Sequence, residues 1–289
     1  MKLFFKSASL VVVAMLLGQF CCRAETVSIV IASNASPRVQ FGAEKIAAAL
    51  KAVKLGAAIV RSDAAPSPKI WINPPHNLPV AREGFQIGQA GGPGALVERT
   101  KDRKLPATTN PAIGYVVSFG SHSHDGDYSI ASSDDSGALY GCLELAQRIR
   151  VAGGLPKKVS FEDEPTLTLR GTCVAMQKTF ILPGRKVYEY PYTPELFPWF
   201  YDKKLWTEYL DFLCANRMNT LYLWNGHPFA SLVRLKDYPY AVEVPDDVFQ
   251  KNQEQFRWLA QECDKRGIWL VQMFYNIFVS KPFAETNHI

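Results

Sequence analysis

Two short segments of the sequence contain the residue types of a chemically active site. Residues 122–127 read His-Ser-His-Asp-Gly-Asp, in which alternate side chains could bind one metal ion. Strands are predicted on either side of this glycine-flanked run, so a solvated hairpin tip is the favoured interpretation and no metal site is predicted. Asp134 and Asp135 could act as a general acid and base, but they directly precede an apolar helix and are better explained as its N-terminal cap.

Long loops in the second half of the sequence are rich in aromatic residues. Solvated loops are normally polar, so flat amphipathic rings there indicate either a wall that binds sugar rings or a lid that packs on itself. Both interpretations stay open for Tyr188, Tyr190, Tyr192, Phe197, Trp199, Tyr238 and Tyr240. Three carboxylates of the same loops are expected to be solvated and receive no catalytic role: Glu189, Glu195 and Asp237.

The elements that would position these loops follow a βαβαβ order from residue 169 onward. Strands are predicted over LRGTCVAM, NTLYLWN and IWLVQMFYN, with intervening helices at 203–216, capped by Asp202, and at 248–266, ended by Gly267. Such units suit the opening of a (β/α)₈ barrel, in which the reacting site lies in the loops after the strands. A whole barrel needs at least about 200 residues, so a truncated barrel of about three strands is predicted. Its open edge predicts an inactive, aggregation-prone fragment.

The first half of the sequence alternates strands and helices and predicts a separate α/β domain. Strands are predicted over VSIVIAS, AAIVRS, KIWIN, GYVVSFG and DYSIASS, with helices at 41–53 and after Asp135. Residues 74–112 are rich in glycine and proline and are expected to carry at most one strand; their GGPG lacks the context of a phosphate-binding loop. The predicted segments are therefore a leader at 1–24, an α/β domain at 25–160 and a partial barrel at 161–289.

The first residues have the pattern of a secretory signal peptide. A basic start precedes the apolar run SASLVVVAMLLGQF, which is shorter than the roughly 20 residues of a transmembrane helix, and cleavage is expected after Ala24. The protein is predicted to be exported, to the periplasm or outside the cell, with no membrane partner after cleavage; lipidation at Cys21 is the alternative. Loss of Lys2, Lys6 and Arg23 leaves 29 basic and 27 acidic residues, so the formal charge falls from +5 to +2 and no nucleic-acid partner is predicted.

Four cysteines remain after cleavage: Cys142, Cys173, Cys214 and Cys263. An exported protein can form disulfides. These cysteines, however, fall within predicted apolar helices and a strand, so buried free thiols are the favoured interpretation. Their spacing does not suit a metal site, and no cofactor is predicted.

Three stretches of the sequence resemble known glycoside hydrolases. EDEPTLTLRGTCVAMQKTF is similar to the start of the catalytic barrel in family 20 β-N-acetylhexosaminidases, and NRMNTLYLW resembles their second barrel strand. YSIASSDDSGALYGCLELAQRI looks like the last strand and helix of the α/β domain that precedes the barrel in those enzymes and in family 67 α-glucuronidases. The resemblance covers most of 26–289 and implies a hexosaminidase-like α/β sandwich domain followed by a partial (β/α)₈ TIM barrel.

The resemblance also implies substrate-binding residues. Arg170 matches the hexosaminidase arginine that grips hydroxyls of the terminal sugar, with a salt bridge at the base of the barrel as the alternative. Trp224, Asn225 and His227 stand where the family has a histidine- and aspartate-rich signature, which indicates a divergent relative, and a structural loop role is equally open for His227. The end of the third strand adds two candidates on position alone. The predicted substrate-binding residues are Arg170, Trp224, Asn225, His227, Tyr275 and Asn276.

No catalytic residue is assigned. Most glycosidases use two carboxylates, and family 20 pairs a glutamic acid with an aspartate that orients the substrate acetamide. By resemblance those residues follow the fourth or later strands. The sequence therefore predicts the N-terminal part of an exported glycoside hydrolase that removes terminal sugars from a glycan or polysaccharide, with a carbohydrate substrate as its partner. A non-catalytic carbohydrate-binding protein of the same architecture is the first alternative, and a structural domain with an inert barrel remnant is the second.

Overall fold

A computed structural model describes residues 26–62, 64–72, 85–89, 126–132, 134–157, 159–225, 228–273 and 278–289. The predicted signal peptide, the GGPG loop, the predicted strand GYVVSFG and most of the run at 122–127 lie outside these residues. The described chain forms one six-stranded and one three-stranded sheet with helices packed on them. The predicted α/β fold is confirmed.

The six-stranded sheet belongs to the first half of the chain. Its strands are β1 (Thr26–Val30), β2 (Gly56–Val60), β3 (Lys69–Ile72), β4 (Phe85–Gln89), β5 (Tyr128–Ser132) and β6 (Ser160–Asp163), in the spatial order β2-β1-β3-β5-β4-β6. β1 is parallel to β2 and β3, and β3 is parallel to β5. β4 lies between β5 and β6 and is antiparallel to both. The central strands are buried, as the continuous apolar sequence of a parallel sheet predicts.

Two helices, α1 (Pro37–Ala52) and α2 (Asp135–Ala152), pack against each other and contribute to the core of this sheet. The side chain of Ser36 accepts a hydrogen bond from the Val39 amide, and proline suits the first helical position, so α1 begins before the predicted residue 41. The Asp134 carboxylate accepts a hydrogen bond of 2.8 Å from the Gly137 amide. The interpretation of Asp134 as a helix cap is therefore confirmed.

The three-stranded sheet consists of β7 (Gly171–Ala175), β8 (Thr220–Trp224) and β9 (Trp269–Met273), all parallel and in that order. Helix α3 (Lys203–Ala215) joins β7 to β8, and α4 (Phe229–Leu232) and α5 (Asp246–Lys265) join β8 to β9; α6 (Lys281–Thr286) follows. Asp202 caps α3 as predicted, accepting hydrogen bonds of 3.0 Å from two amides. Among the helices so described, none has the length and apolar content of a membrane span.

Only one face of the three-stranded sheet is packed by helices in the described chain. Leu221 and Leu223 of β8 are fully buried against the inner sides of α3 and α5. The opposite face carries Cys173, Tyr222 and Val271 in register, and Cys173 is exposed. The prediction that Cys173 is buried is wrong, because alternate side chains of a strand point to opposite faces and the face that holds Cys173 has no helix against it.

We expect the four thiols to differ sharply in native labelling. Burial raises the pKa of Cys214 and of Cys263 to about 12 and also raises that of Cys142, so all three remain protonated thiols at neutral pH. Peptide mapping after brief treatment with iodoacetamide should find Cys173 alkylated and the other three protected until denaturant is added. Alkylation of Cys214 as fast as that of Cys173 would contradict the buried packing of α3.

A cluster of charged side chains joins the helices of the two sheets. Lys45 of α1 lies 2.7 Å from the carboxylate of Asp211 on α3, and Nε of Arg266, just after α5, lies 2.6 Å from the same carboxylate. Arg266 also pairs with Glu262, and its guanidinium lies 4.8 Å from the ring centroid of Phe41. We call Lys45, Asp211, Glu262 and Arg266 the junction cluster. It connects a helix of the first sheet to the helices of the second.

Candidate functional site

The carboxyl ends of the three parallel strands meet at one edge of the second sheet. Ala175, Trp224 and Met273 are the last residues of β7, β8 and β9 and pair with one another in register. The three long loops therefore begin side by side. This is the edge at which parallel α/β proteins place their ligands.

Asn225 ties the ends of the first two strands together. Its side chain is buried and donates a hydrogen bond of 2.9 Å from Nδ2 to the carbonyl of Met176, while the Met176 amide donates to the carbonyl of Trp224 at 2.8 Å. Trp224 is half-buried on the face without helices. The structure thus brings two predicted substrate-binding residues together. Three others, His227, Tyr275 and Asn276, lie outside the described residues.

Arg170 lies at the opposite end of the same strands. It immediately precedes β7, and its guanidinium donates hydrogen bonds to the carbonyls of Arg217 at 2.9 Å and Leu167 at 2.6 Å. At about 3.3 Å per residue, the length of β7 separates it from Trp224 by roughly 17 Å. Arg170 lines a small cavity of about 150 Å³ between the two sheets, with Tyr140 among its neighbours. The structure does not bring Arg170 together with Trp224 and Asn225, and its sugar-binding role stays a prediction.

The aromatic residues of the loops divide into two groups. Tyr192, Phe197 and Phe200 are fully buried, and they pack edge-on and tilted against one another beside Trp206 of α3. Tyr190 is also buried, and Trp199 is partly buried in the same core. For this group the lid interpretation holds. The exposed rings are those of Tyr188, Tyr238 and Tyr240.

A cleft of about 510 Å³ lies between the three loops. This volume is within the range of ligand pockets in proteins. Its walls come from the loop after β7, from one residue of the loop after β8, and from the segment after β9 that includes α6. The cleft is lined by Gly184, Arg185, Lys186, Val187, Glu189, Tyr190, Pro191, Glu243, Phe278, Val279, Lys281, Ala284, Glu285, His288 and Ile289.

Glu243 holds the walls of the cleft together. One carboxylate oxygen lies 3.2 Å from the Arg185 guanidinium in the first loop, and the other accepts a hydrogen bond of 2.5 Å from the amide of Lys281 at the start of α6. The Glu243 side chain is only 9% exposed, whereas that of its partner Arg185 is 21% exposed. The partners in these two contacts are 58 and 38 positions apart in the sequence. No local sequence pattern indicates such contacts, so this group was not predicted.

Glu189 is the second buried carboxylate of the cleft. It is 6% exposed, one carboxylate oxygen accepts a hydrogen bond of 2.7 Å from Gln177 Nε2, and its carbonyl accepts one of 2.7 Å from Arg185. The prediction that Glu189 is solvated is wrong, because a bridge between Gln177 and Glu189 folds the loop back onto the end of β7. Glu195 and Asp237 are exposed, as predicted.

The cleft thus presents fixed donors and fixed acceptors within a small volume. Guanidinium and ammonium groups only donate, whereas ionised carboxylates only accept. A sugar hydroxyl can do both, so neighbouring hydroxyls of one ring can meet both kinds of group. The cleft has the chemistry of a site for a polyhydroxylated ligand.

No protein-family model matches the sequence, and no curated protein matches it. Solved structures similar to this chain include several glycoside hydrolases. A GH138 enzyme targeting pectin rhamnogalacturonan II is 38% identical over 91% of this chain and 33% of its own, with a TM-score of 0.76. The Flavobacterium johnsoniae chitobiase is 16% identical over 86% of this chain and 31% of its own, with a TM-score of 0.45. A β-N-acetylhexosaminidase from Bacteroides fragilis is 13% identical over 86% and 40%, with a TM-score of 0.43.

The described chain has a glycoside-hydrolase-like fold, which it shares with the GH138 enzyme over 91% of its length. Of these three structures, the GH138 enzyme is the one whose fold matches this chain well. The TM-scores of the other two are too low to support a comparison. The chain spans about a third of the length of these structures. The predicted resemblance to glycoside hydrolases is confirmed, whereas the resemblance to family 67 α-glucuronidases stays a prediction.

Proposed function

We propose that the chain is the N-terminal part of an exported glycoside hydrolase that releases terminal sugars from a pectic polysaccharide. The observation that carries the proposal is the 38% identity, over 91% of the chain, with a GH138 enzyme targeting pectin rhamnogalacturonan II. In this proposal residues 1–24 are a signal peptide, 25–160 an α/β domain and 161–289 the first part of the catalytic barrel.

The geometry of the cleft supports the substrate side of the proposal. Parallel barrel strands place reacting groups at their carboxyl ends, where the cleft lies. Arg185 is anchored by Glu243 and by the Glu189 carbonyl, so its remaining donors keep a fixed direction. We assign the substrate a place in this cleft, between the loops that follow the three strands.

A carbohydrate-binding protein without activity is the second candidate. Both buried carboxylates of the cleft are held by hydrogen bonds, Glu189 by Gln177 and Glu243 by Arg185 and the Lys281 amide. A carboxylate held in this way is suited to accepting a bond from a sugar hydroxyl. In the hydrolase the proton-transferring carboxylates would come from segments after the third strand.

Sugar release by two forms of the protein tests the proposal. We expect a protein extended beyond Ile289 to release monosaccharide from rhamnogalacturonan II and not from chito-oligosaccharides, measured by anion-exchange chromatography, and the 289-residue chain alone to release none. Binding without release by the extended protein would favour the second candidate. Turnover by a soluble monomer of the 289-residue chain would overturn the assignment of the catalytic groups to later segments.

The same extended protein tests the predicted role of Arg170. Affinity for the released sugar should fall in Arg170→Ala if the guanidinium grips sugar hydroxyls. Unchanged affinity together with a lower unfolding temperature would instead assign Arg170 to the small cavity between the sheets.

A further inference from the structure

Three aromatic rings beside the cleft form a single cluster, in which two rings are exposed and the third is partly buried. Tyr238 and Tyr240 are 45% and 39% exposed, and Phe283 of α6 lies against both. Tyr240 and Phe283 are stacked with an interplanar angle of 14° and centroids 6.1 Å apart, whereas Tyr238 meets each of them nearly at right angles. We call these three residues the aromatic platform. A contiguous exposed apolar surface of this kind can mark a binding site.

The platform is held in place by short-range contacts. Pro239–Ala241 form a turn of 3₁₀ helix that directly follows Tyr238 and contains Tyr240, and the Ala241 amide donates a hydrogen bond of 3.0 Å to the Tyr238 carbonyl. Asn287 donates from Nδ2 to the Tyr240 hydroxyl at 3.2 Å. The rings are therefore ordered before any ligand arrives, which lowers the entropy lost on binding.

The platform adjoins the cleft through α6. Lys281, Ala284 and Glu285 of this helix line the cleft, and Phe283 from the same helix is part of the platform. A ligand that leaves the cleft on this side meets flat apolar rings bordered by exposed polar groups, namely Asp237 and Asn287. The C–H face of a pyranose ring flanked by hydroxyls has the matching chemistry.

We propose that the aromatic platform binds a sugar ring of the polysaccharide, outside the cleft and at least one residue along from the sugar that occupies it. This site rests on the proposed function and adds a second contact to it. With this second contact, the affinity for a glycan increases with the length of the glycan, because a monosaccharide occupies only the cleft.

Affinity as a function of oligosaccharide length tests the platform. Pectic oligosaccharides of increasing length and the corresponding monosaccharide are titrated into the 289-residue chain by calorimetry. We expect Tyr240→Ala to weaken binding of the longer ligands about tenfold and to leave monosaccharide binding unchanged, since exposed aromatic anchors contribute strongly to binding sites. Tyr240→Phe keeps the stacking ring and should bind as the wild type does. Phe212→Ala, which removes an exposed ring from α3, is the matched control and should also change nothing.

The following results would contradict the binding of a sugar ring at the platform. If Tyr240→Ala binds the longer oligosaccharides as tightly as the wild type does, the platform does not bind sugar. The hydrolase proposal is unaffected by that result. A wild-type dimer that Tyr240→Ala converts to a monomer in sedimentation would show that a second copy of the chain occupies these rings. Absence of glycan binding by the wild type also overturns the platform, whereas the hydrolase proposal is decided separately by sugar release from the extended protein.

Discussion

Replacing Arg266 by methionine is expected to lower the free energy of unfolding by about 3 kcal/mol. The Arg266 side chain is 2% exposed and pairs with both Asp211 and Glu262. Methionine fills much of the same volume but leaves the two carboxylates without their shared cation. The loss is expected at the lower end of the range for broken buried pairs, because Asp211 keeps Lys45 at 2.7 Å and is partly exposed.

Chemical denaturation at neutral pH measures this change. Arg257→Met is the matched control, because Arg257 is an exposed arginine of α5, the helix that Arg266 directly follows, and its replacement should alter stability by less than about 0.5 kcal/mol. Equal stability of the two variants would show that the junction cluster contributes nothing to joining the sheets.

The junction cluster should also make stability depend on acidic pH. Burial opposes ionisation of Asp211, but hydrogen bonds and charges from Lys45 and Arg266 outweigh it and hold the pKa of this carboxyl below its ordinary value. A carboxyl whose pKa is lowered by folding stabilises the protein above its unfolded pKa, and the contribution is lost as the pH falls through the folded pKa. The free energy of unfolding, measured by denaturation at neutral pH and at about pH 3, should decrease less on acidification in Arg266→Met than in the wild type. Parallel losses in both proteins would contradict the assignment.

Replacing Gly171 by alanine is expected to destabilise the second sheet by about 3 kcal/mol, the upper part of the range for overpacking. A Cβ atom at this position would lie 1.9 Å from the carbonyl oxygen of Thr220 and 2.6 Å from its carbonyl carbon. Gly171 and Thr220 are paired at the start of β7 and β8, so the obstructing atoms are backbone atoms that cannot turn aside. The strands must separate or lose register.

Denaturation together with hydrogen exchange at β8 measures this second change. Gly154→Ala is the control, since among the described residues other than its chain neighbours no atom lies within 4 Å of the position of its added Cβ. Faster exchange of the Thr220–Trp224 amides in Gly171→Ala, with Gly154→Ala unchanged, is the expected pattern. If the free energy of unfolding of Gly171→Ala is within about 1 kcal/mol of that of the wild type, β7 moves freely at this edge. Gly171 also follows Arg170 directly, so separation of the strands would displace that side chain as well.

Helices, strands and their caps were predictable because they depend on neighbouring residues. Asp134 and Asp202 accept the amide hydrogen bonds that their positions before apolar helices indicated. The order of the parallel strands followed from the lengths of the helical connections. Helix α1 begins at Pro37, four residues before its predicted start, because Ser36 caps it and proline suits its first position.

The cleft could not be predicted, because the contacts that form it join distant parts of the chain. Arg185, Glu243 and Lys281 lie in three different loops, and in sequence each is an ordinary charged residue. Burial of Glu189 likewise depends on the bridge with Gln177 at the end of a strand. Aromatic composition indicated seven rings as one group, whereas packing buried some of them and left those of Tyr188, Tyr238 and Tyr240 exposed.

The sequence by itself determined the α/β class, the parallel order of the strands and the edge at which a ligand site must lie, because hydrophobic periodicity and capping act over one or two turns of chain. Only the tertiary structure decided which side chains share that edge. Arg170 and Trp224 were both predicted to bind sugar, yet they lie at opposite ends of paired strands. The pairing register and the packing of loops on helices set the direction of each side chain, and neither is encoded by residues that are neighbours in sequence.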